Sequence, residues 1–135
     1  MVETTMSERT PRKILLVEDD QTIRQMMVRR LTIRGFSVVD VGSGEEAVRA
    51  AQREPPAVVV MDLRLPGMCG WDAARIIRAD PNCVSIPILA LTAHVSPEDR
   101  VRGQEVGCDS FFSKPVDFEA LVKRLLELAG GQGEP

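Results

Sequence analysis

Histidine, cysteine and lysine are scarce in this chain, and each scarcity excludes something. His94 is the only histidine, so no group of histidines and cysteines stands at zinc-ligand spacing. The three cysteines, Cys69, Cys83 and Cys108, are an odd number without a secretion signal. They read as reduced thiols of a cytosolic protein, not as a disulfide framework. Long apolar runs are missing too. The longest, Ala57-Val58-Val59-Val60-Met61, falls far short of the ~20 residues that cross a bilayer. Residues 1–12 hold no apolar run of the signal-peptide kind, so a cytoplasmic protein with no membrane insertion is expected. Nor is there an excess of positive charge: 17 Lys and Arg stand against 20 Asp and Glu, a formal net charge of −3, which argues against a nucleic-acid binder. Only three of those cations are lysines (Lys13, Lys114, Lys123), which makes the placement of each informative.

What is present is a regular alternation. With 135 residues and 44% hydrophobic content the chain fits one domain with a buried core. Apolar runs alternate with amphipathic segments, the pattern of repeated βα units. Strands are predicted at residues 14–17, 37–41, 57–61, 86–91 and 110–113. The second is the least apolar and is placed near a sheet edge. Helices are predicted after each: one with Ile23, Met26, Met27 and Leu31 inward, stopping at Gly35; one capped by Ser43 with Glu46 at the capping-box position and Ala47, Val48 and Ala51 inward; one carrying Ala73, Ile76 and Ile77; one opened by Ser96-Pro97-Glu98-Asp99; and one capped by Asp117 with Phe118, Leu121, Val122, Leu125 and Leu126 inward. Residues 13–129 form the domain, with flexible tails expected at 1–12 and 130–135. The expectation is an α/β fold with an open, doubly wound parallel sheet of five strands, in the common order 2-1-3-4-5.

In such a sheet ligands bind at the carboxyl ends of the strands, at the point where strand order reverses. Those ends carry Glu18 and Asp19, Asp62, Thr92 and Lys114. Strands one and three would be neighbours ~4.8 Å apart, which brings three carboxylates together. That crowding calls for raised pKa values or a bound cation, and hard oxygen ligands beside a phosphoryl group favour Mg2+. A carboxylate is a competent nucleophile toward phosphorus, with Lys114 as point charge and Thr92 as hydroxyl donor. Any one of these residues alone is better read as solvated or capping. Five on one edge favour chemistry.

These residues, in the segments Ile14-Leu15-Leu16-Val17-Glu18-Asp19-Asp20, Val59-Val60-Met61-Asp62-Leu63-Arg64-Leu65-Pro66-Gly67-Met68, Ile88-Leu89-Ala90-Leu91-Thr92-Ala93 and Phe112-Ser113-Lys114-Pro115, resemble the receiver domain of two-component response regulators, of flavodoxin-like (βα)5 fold. The resemblance covers nearly the whole chain. It implies that Asp62 accepts a phosphoryl group from a sensor histidine kinase or His-phosphotransfer protein. It further implies that Glu18, Asp19, Asp62 and the backbone carbonyl of Arg64 hold Mg2+, and that Thr92 and Lys114 contact the phosphoryl group. Thr92 and Phe111 would be the switch residues, and a cis bond is implied at Lys114-Pro115. Arg64 and His94 stand where related proteins modulate the phosphoryl site, and Arg64 is expected to hinder attacking water. No external substrate turnover is implied, only self-phosphorylation and autodephosphorylation. The few residues after the last helix suggest a stand-alone regulator, acting on a downstream protein through the helix 4–strand 5–helix 5 face, as a monomer or a phosphorylation-dependent dimer.

Two features depart from the commonest pattern: Glu18 replaces an aspartate, and Phe111 replaces a tyrosine, so switching depends on ring packing. Competing readings are a magnesium-dependent phosphohydrolase with an aspartyl-phosphate intermediate, against which Arg64 stands where its general acid is expected, and a receiver fragment of a hybrid kinase. Gly42-Ser43-Gly44-Glu45-Glu46-Ala47 imitates a dinucleotide fingerprint, but two acids in the first helical turn would repel a pyrophosphate. Trp71 and Met68 read as packing, Arg24, Arg29, Arg30 and Arg34 as a solvated helix face with kinase docking as the lesser role, and Cys69 as an inert thiol.

Overall fold

A computed structural model describes residues 12–93 and 95–130, so His94 and nearly all of both expected tails lie outside the described residues. Five strands, β1 (Lys13–Val17), β2 (Ser37–Val41), β3 (Val58–Asp62), β4 (Ile88–Thr92) and β5 (Ser110–Ser113), alternate with α1 (Gln21–Ile33), α2 (Gly44–Arg53), α3 (Gly70–Ala79), α4 (Pro97–Val106) and α5 (Phe118–Gly130). All pairings are parallel and the order is β2-β1-β3-β4-β5, as expected. The polar β2 is an edge strand.

Side chains alternate along each strand, so each strand feeds two cores. Leu15, Val17, Val59, Met61, Ile88 and Ala90 face α2 and α3. Ile14, Leu16, Val58, Val60, Leu89 and Leu91 face α1 and α5. β3 and β4 are buried at every position, the continuous apolar reading of a strand covered on both faces. Burial of each such Leu, Ile or Val contributes about 1.5–3 kcal/mol before entropy is counted.

Several sequence expectations move by one or two residues, each for a local reason. β4 begins at Ile88, not Ile86, because Pro87 has no N–H to give the ladder; its carbonyl accepts from Val59 instead. β3 and β4 each run one residue further than predicted, so Asp62 and Thr92 are the last residues of their strands. Met26, Ile76 and Leu126, predicted inward, are 51%, 40% and 43% exposed. Each neighbours a buried residue (Met27, Ile77, Leu125) and the 100° step per residue turns it out of the narrow inner stripe. Glu46 bonds the N–H of Gly42, one residue before the capping-box partner, while Ser43 caps α2 as expected. α1 ends at Ile33, with Gly35 in the left-handed region at φ 98°.

Of the four arginines read as a solvated face, Arg29, Arg30 and Arg34 are exposed as expected, and Arg24 is half-buried. Arg30 stacks over the Phe118 ring at 4.0 Å and Arg34 pairs with Glu119, tying α1 to α5. Arg24 turns the other way, to Glu18 and Asp40.

Candidate active site

The register decides which strand ends meet. Because β1 lies beside β3, and β3 beside β4, the ends of three strands deliver Glu18, Asp62 and Thr92 side by side. β5 then adds Lys114, whose N–H bonds the Thr92 carbonyl at 2.9 Å. One carboxylate oxygen each from Glu18, Asp19 and Asp62 lies within 4.8 Å of the others. Glu18 and Asp62 are buried and Asp19 is exposed, so the acidic cluster opens toward solvent through Asp19.

Lys114 spans the two buried acids. Its Nζ donates to Glu18 Oε1 and to Asp62 Oδ2, both at 3.1 Å. The remaining oxygens are also held: Asp62 Oδ1 accepts from the Arg64 N–H at 3.0 Å, and Glu18 Oε2 from the Asp20 N–H at 3.1 Å. Asp20 caps α1 by accepting from Ile23. Burial pushes the Glu18 carboxyl above its usual range, and the Asp62 charge adds to this, against the Asp20 N–H and Lys114. Burial alone would lower Lys114; the Asp62 and Glu18 carboxylates outweigh it and hold the ammonium above its ordinary value.

Three carboxylates facing one ammonium leave a local excess of negative charge. A small divalent cation taking oxygen ligands fits this donor set, and the described residues offer no soft donor beside it. The extra methylene of Glu18 does not remove it from the cluster.

The remaining expected residues separate into near and remote. Thr92 is fully buried at the end of β4. Phe111 sits on the other side of β5, packed edge-on against Trp71 with ring centroids 5.8 Å apart. Arg64 is exposed beside Asp62, and Lys114-Pro115 is cis. All three cysteines are free, and burial pushes the Cys83 and Cys108 thiols up, away from the reactive thiolate.

Sequence reading missed what supports the Phe111 ring. The Trp71 indole N–H donates to Asp99 Oδ1 at 3.1 Å, while Asp99 also closes the α4 capping box with Ser96. Burial raises the Asp99 carboxyl, but the Trp71 and Ser96 hydrogen bonds outweigh it and hold it below its usual range. A buried tryptophan needs a partner for its N–H, and that rule was the available signal. Gly103 makes room for the Phe111 ring: a Cβ there would lie 2.5 Å from Cζ. Gly103→Ala is therefore expected to displace the ring and weaken the near-ultraviolet circular dichroism of Trp71. The gain of about 1 kcal/mol in helix propensity keeps overall stability near parental. An unchanged Trp71 signal contradicts this seat for Phe111.

Comparison with known proteins gives this geometry its class. Residues 14–126 match the family model described as the response regulator receiver domain, and the chain belongs to that family of two-component signal transduction. It is 36% identical over 118 residues to the probable transcriptional regulatory protein TcrX of Mycobacterium tuberculosis, covering 87% of this chain and 50% of that protein. It is 37% identical to the DNA-binding response regulator MtrA of Mycolicibacterium smegmatis, covering 91% and 53%. The chain thus spans about half the length of the curated relatives it matches. Among solved structures, chemotaxis protein CheY4 of Vibrio cholerae matches with a TM-score of 0.84 at 33% identity, covering 88% of this chain and 99% of that one. The receiver domain of a sensor histidine kinase of Pseudomonas aeruginosa, solved with magnesium in its active-site cleft, matches with a TM-score of 0.77 at 37% identity, covering 90% and 99%. Among the described residues no helix is long and apolar enough to cross a membrane.

Proposed function

We propose that Asp62 is the phosphoacceptor of a receiver that takes its phosphoryl group from the phosphohistidine of a sensor kinase or His-phosphotransfer protein. The observation that carries this reading is the bridge of Lys114 between Glu18 and Asp62 at the mouth of the sheet. An Asp62 carboxylate oxygen bonds to phosphorus as the donor's phosphorus–nitrogen bond breaks, its electron pair returning to the imidazole. Lys114 neutralises charge that develops on the phosphoryl oxygens, and Thr92 turns its hydroxyl toward them. Glu18, Asp19, Asp62 and the Arg64 carbonyl would hold Mg2+, which supplies further positive charge to the same oxygens. The magnesium in the Pseudomonas neighbour's cleft supports that assignment.

The donor docks against α1. Beside Lys114 a groove of about 550 Å³ is walled by Ile23, Met26, Met27, Pro115, Val116 and Phe118, an apolar surface adjoining the reacting edge. The downstream protein reads the face of α4, β5 and α5, remodelled when Thr92 and Phe111 shift population between two conformers. A cytoplasmic location accords with these partners. His94, together with Arg64, modulates the lifetime of the phosphorylated state.

Arg64 is the residue proposed to act on that lifetime. Its backbone N–H bonds Asp62 Oδ1 at 3.0 Å and its side chain is exposed two residues beyond, which supports a role in hindering attacking water. Arg64→Ala is expected to lose its phosphoryl group about fivefold faster, ~1 kcal/mol of barrier. An equal or slower rate, followed by intact mass after the donor is removed, contradicts the role.

The function itself is tested by incubation with Mg2+ and acetyl phosphate, then intact mass. The parent gains one phosphoryl group and Asp62→Asn gains none. No gain in the parent, or a gain in both, defeats the proposal.

A further inference from the structure

Arg24 lies on α1, outside the acidic cluster, yet its half-buried side chain bonds two groups through its guanidinium. Nη1 donates to the backbone carbonyl oxygen of Glu18 at 2.8 Å, and Nε to Asp40 Oδ2 on β2 at 3.1 Å. Its side chain is 19% exposed. The backbone of Glu18 is thereby held on both sides of its Cα, because its N–H donates to the Val41 carbonyl at 3.1 Å. The Glu18 carbonyl belongs to the peptide joining Glu18 to Asp19, so the Arg24 hydrogen bond fixes the backbone that carries two of the three clustered acids.

The surroundings are shaped for this contact. Gly42, the residue after β2, leaves room for the guanidinium: a Cβ there would lie 2.9 Å from Nη1. The Gly42 N–H is fixed by Glu46, which holds the loop in place beside Arg24. The Arg24 N–H in turn bonds the carbonyl of the N-cap Asp20 at 2.8 Å, the first helical hydrogen bond of α1. Only a planar fork with donors at both Nε and Nη reaches a carbonyl and a carboxylate at once; a lysine ammonium lacks that geometry.

We infer that Arg24 is a positioning residue for the cation site, holding Glu18 and Asp19 in the orientation that binds a divalent ion. The inference rests on the reading of that site given above. Groups that orient ligands without touching the metal commonly change affinity 10–100-fold. Coulomb interaction alone predicts the opposite sign, since removing a cation near a cation site tightens binding. The sign of the effect therefore separates positioning from bulk electrostatics.

The test is calorimetric titration with Mg2+ of the parent, Arg24→Met, which keeps the apolar stem, and Gly42→Ala, which displaces the guanidinium without removing any charge. Urea midpoints without Mg2+ establish that each variant is folded at the titration temperature. Both variants are expected to bind Mg2+ at least about tenfold more weakly than the parent. Unchanged or tighter binding by folded Arg24→Met overturns the inference. If that variant does not fold, Gly42→Ala decides, and parental affinity there overturns it. A parent that binds no Mg2+ refutes the cation site itself, a different failure.

Discussion

Lys114→Ala is expected to accept a phosphoryl group from acetyl phosphate about 100-fold more slowly than the parent, the loss typical of one preorganised donor removed from a transition state. Lys114 bonds both buried acids, and their side chains are only 2% and 4% exposed. Its own side chain is 27% exposed, so water enters to replace it and the effect on stability stays smaller than for a fully buried pair. The pH dependence has a definite sign. Glu18 holds its proton more tightly in the folded state, so its contribution to stability is present at acid pH and fades as pH rises from the usual carboxylate range through its raised value. Without Lys114 that decline steepens, because the lysine opposes the rise. Lys114 itself contributes stability below the usual lysine range, lost as pH climbs through its raised value. Urea midpoints across pH should fall more steeply toward neutrality in Lys114→Ala than in the parent. Parental phosphorylation rates together with a parental pH profile contradict the role assigned to this residue.

Gly70→Ala is expected to destabilise the fold by about 1–3 kcal/mol, the usual cost of forcing atoms into a packed site. A Cβ at Gly70 would stand 2.6 Å from the Asp62 carbonyl oxygen and 2.9 Å from Leu63 Cα, both backbone atoms that cannot rotate away. The Gly70 N–H also bonds the Leu63 carbonyl at 3.3 Å, closing the loop that follows Asp62 and carries Arg64. The same substitution should therefore slow phosphoryl acceptance. The coupled loss distinguishes it from an ordinary core defect. A parental urea midpoint, or a destabilised variant that phosphorylates at the parental rate, contradicts this account of the loop.

The sheet and its acidic edge were legible because both follow from short-range pattern. Runs such as Ala57-Val58-Val59-Val60-Met61 announce strands covered on both faces, and residues at strand ends must share one edge once the order is 2-1-3-4-5. The double grip on Glu18 was not legible. Arg24 stands on the helix face where arginines usually meet solvent, and only the approach of Asp40 and the gap at Gly42 turn it inward. The Trp71–Asp99 bond was hidden for a related reason: Asp99 announces itself as a helix cap, and its second partner comes from a different helix. Met26, Ile76 and Leu126 show the limit of apolar periodicity, which marks a stripe without marking its width.

The central claim is that Asp62, among the clustered acids, carries the phosphoryl group. Borohydride reduces an acyl phosphate to the corresponding alcohol, so an aspartyl phosphate becomes homoserine and a glutamyl phosphate a different, longer alcohol. After phosphorylation with acetyl phosphate and Mg2+, borohydride trapping and peptide mass mapping should find homoserine at position 62, with Glu18 and Asp19 unchanged. Reduction at Glu18 or Asp19 instead, or at no position in a protein that has gained phosphate, would contradict it.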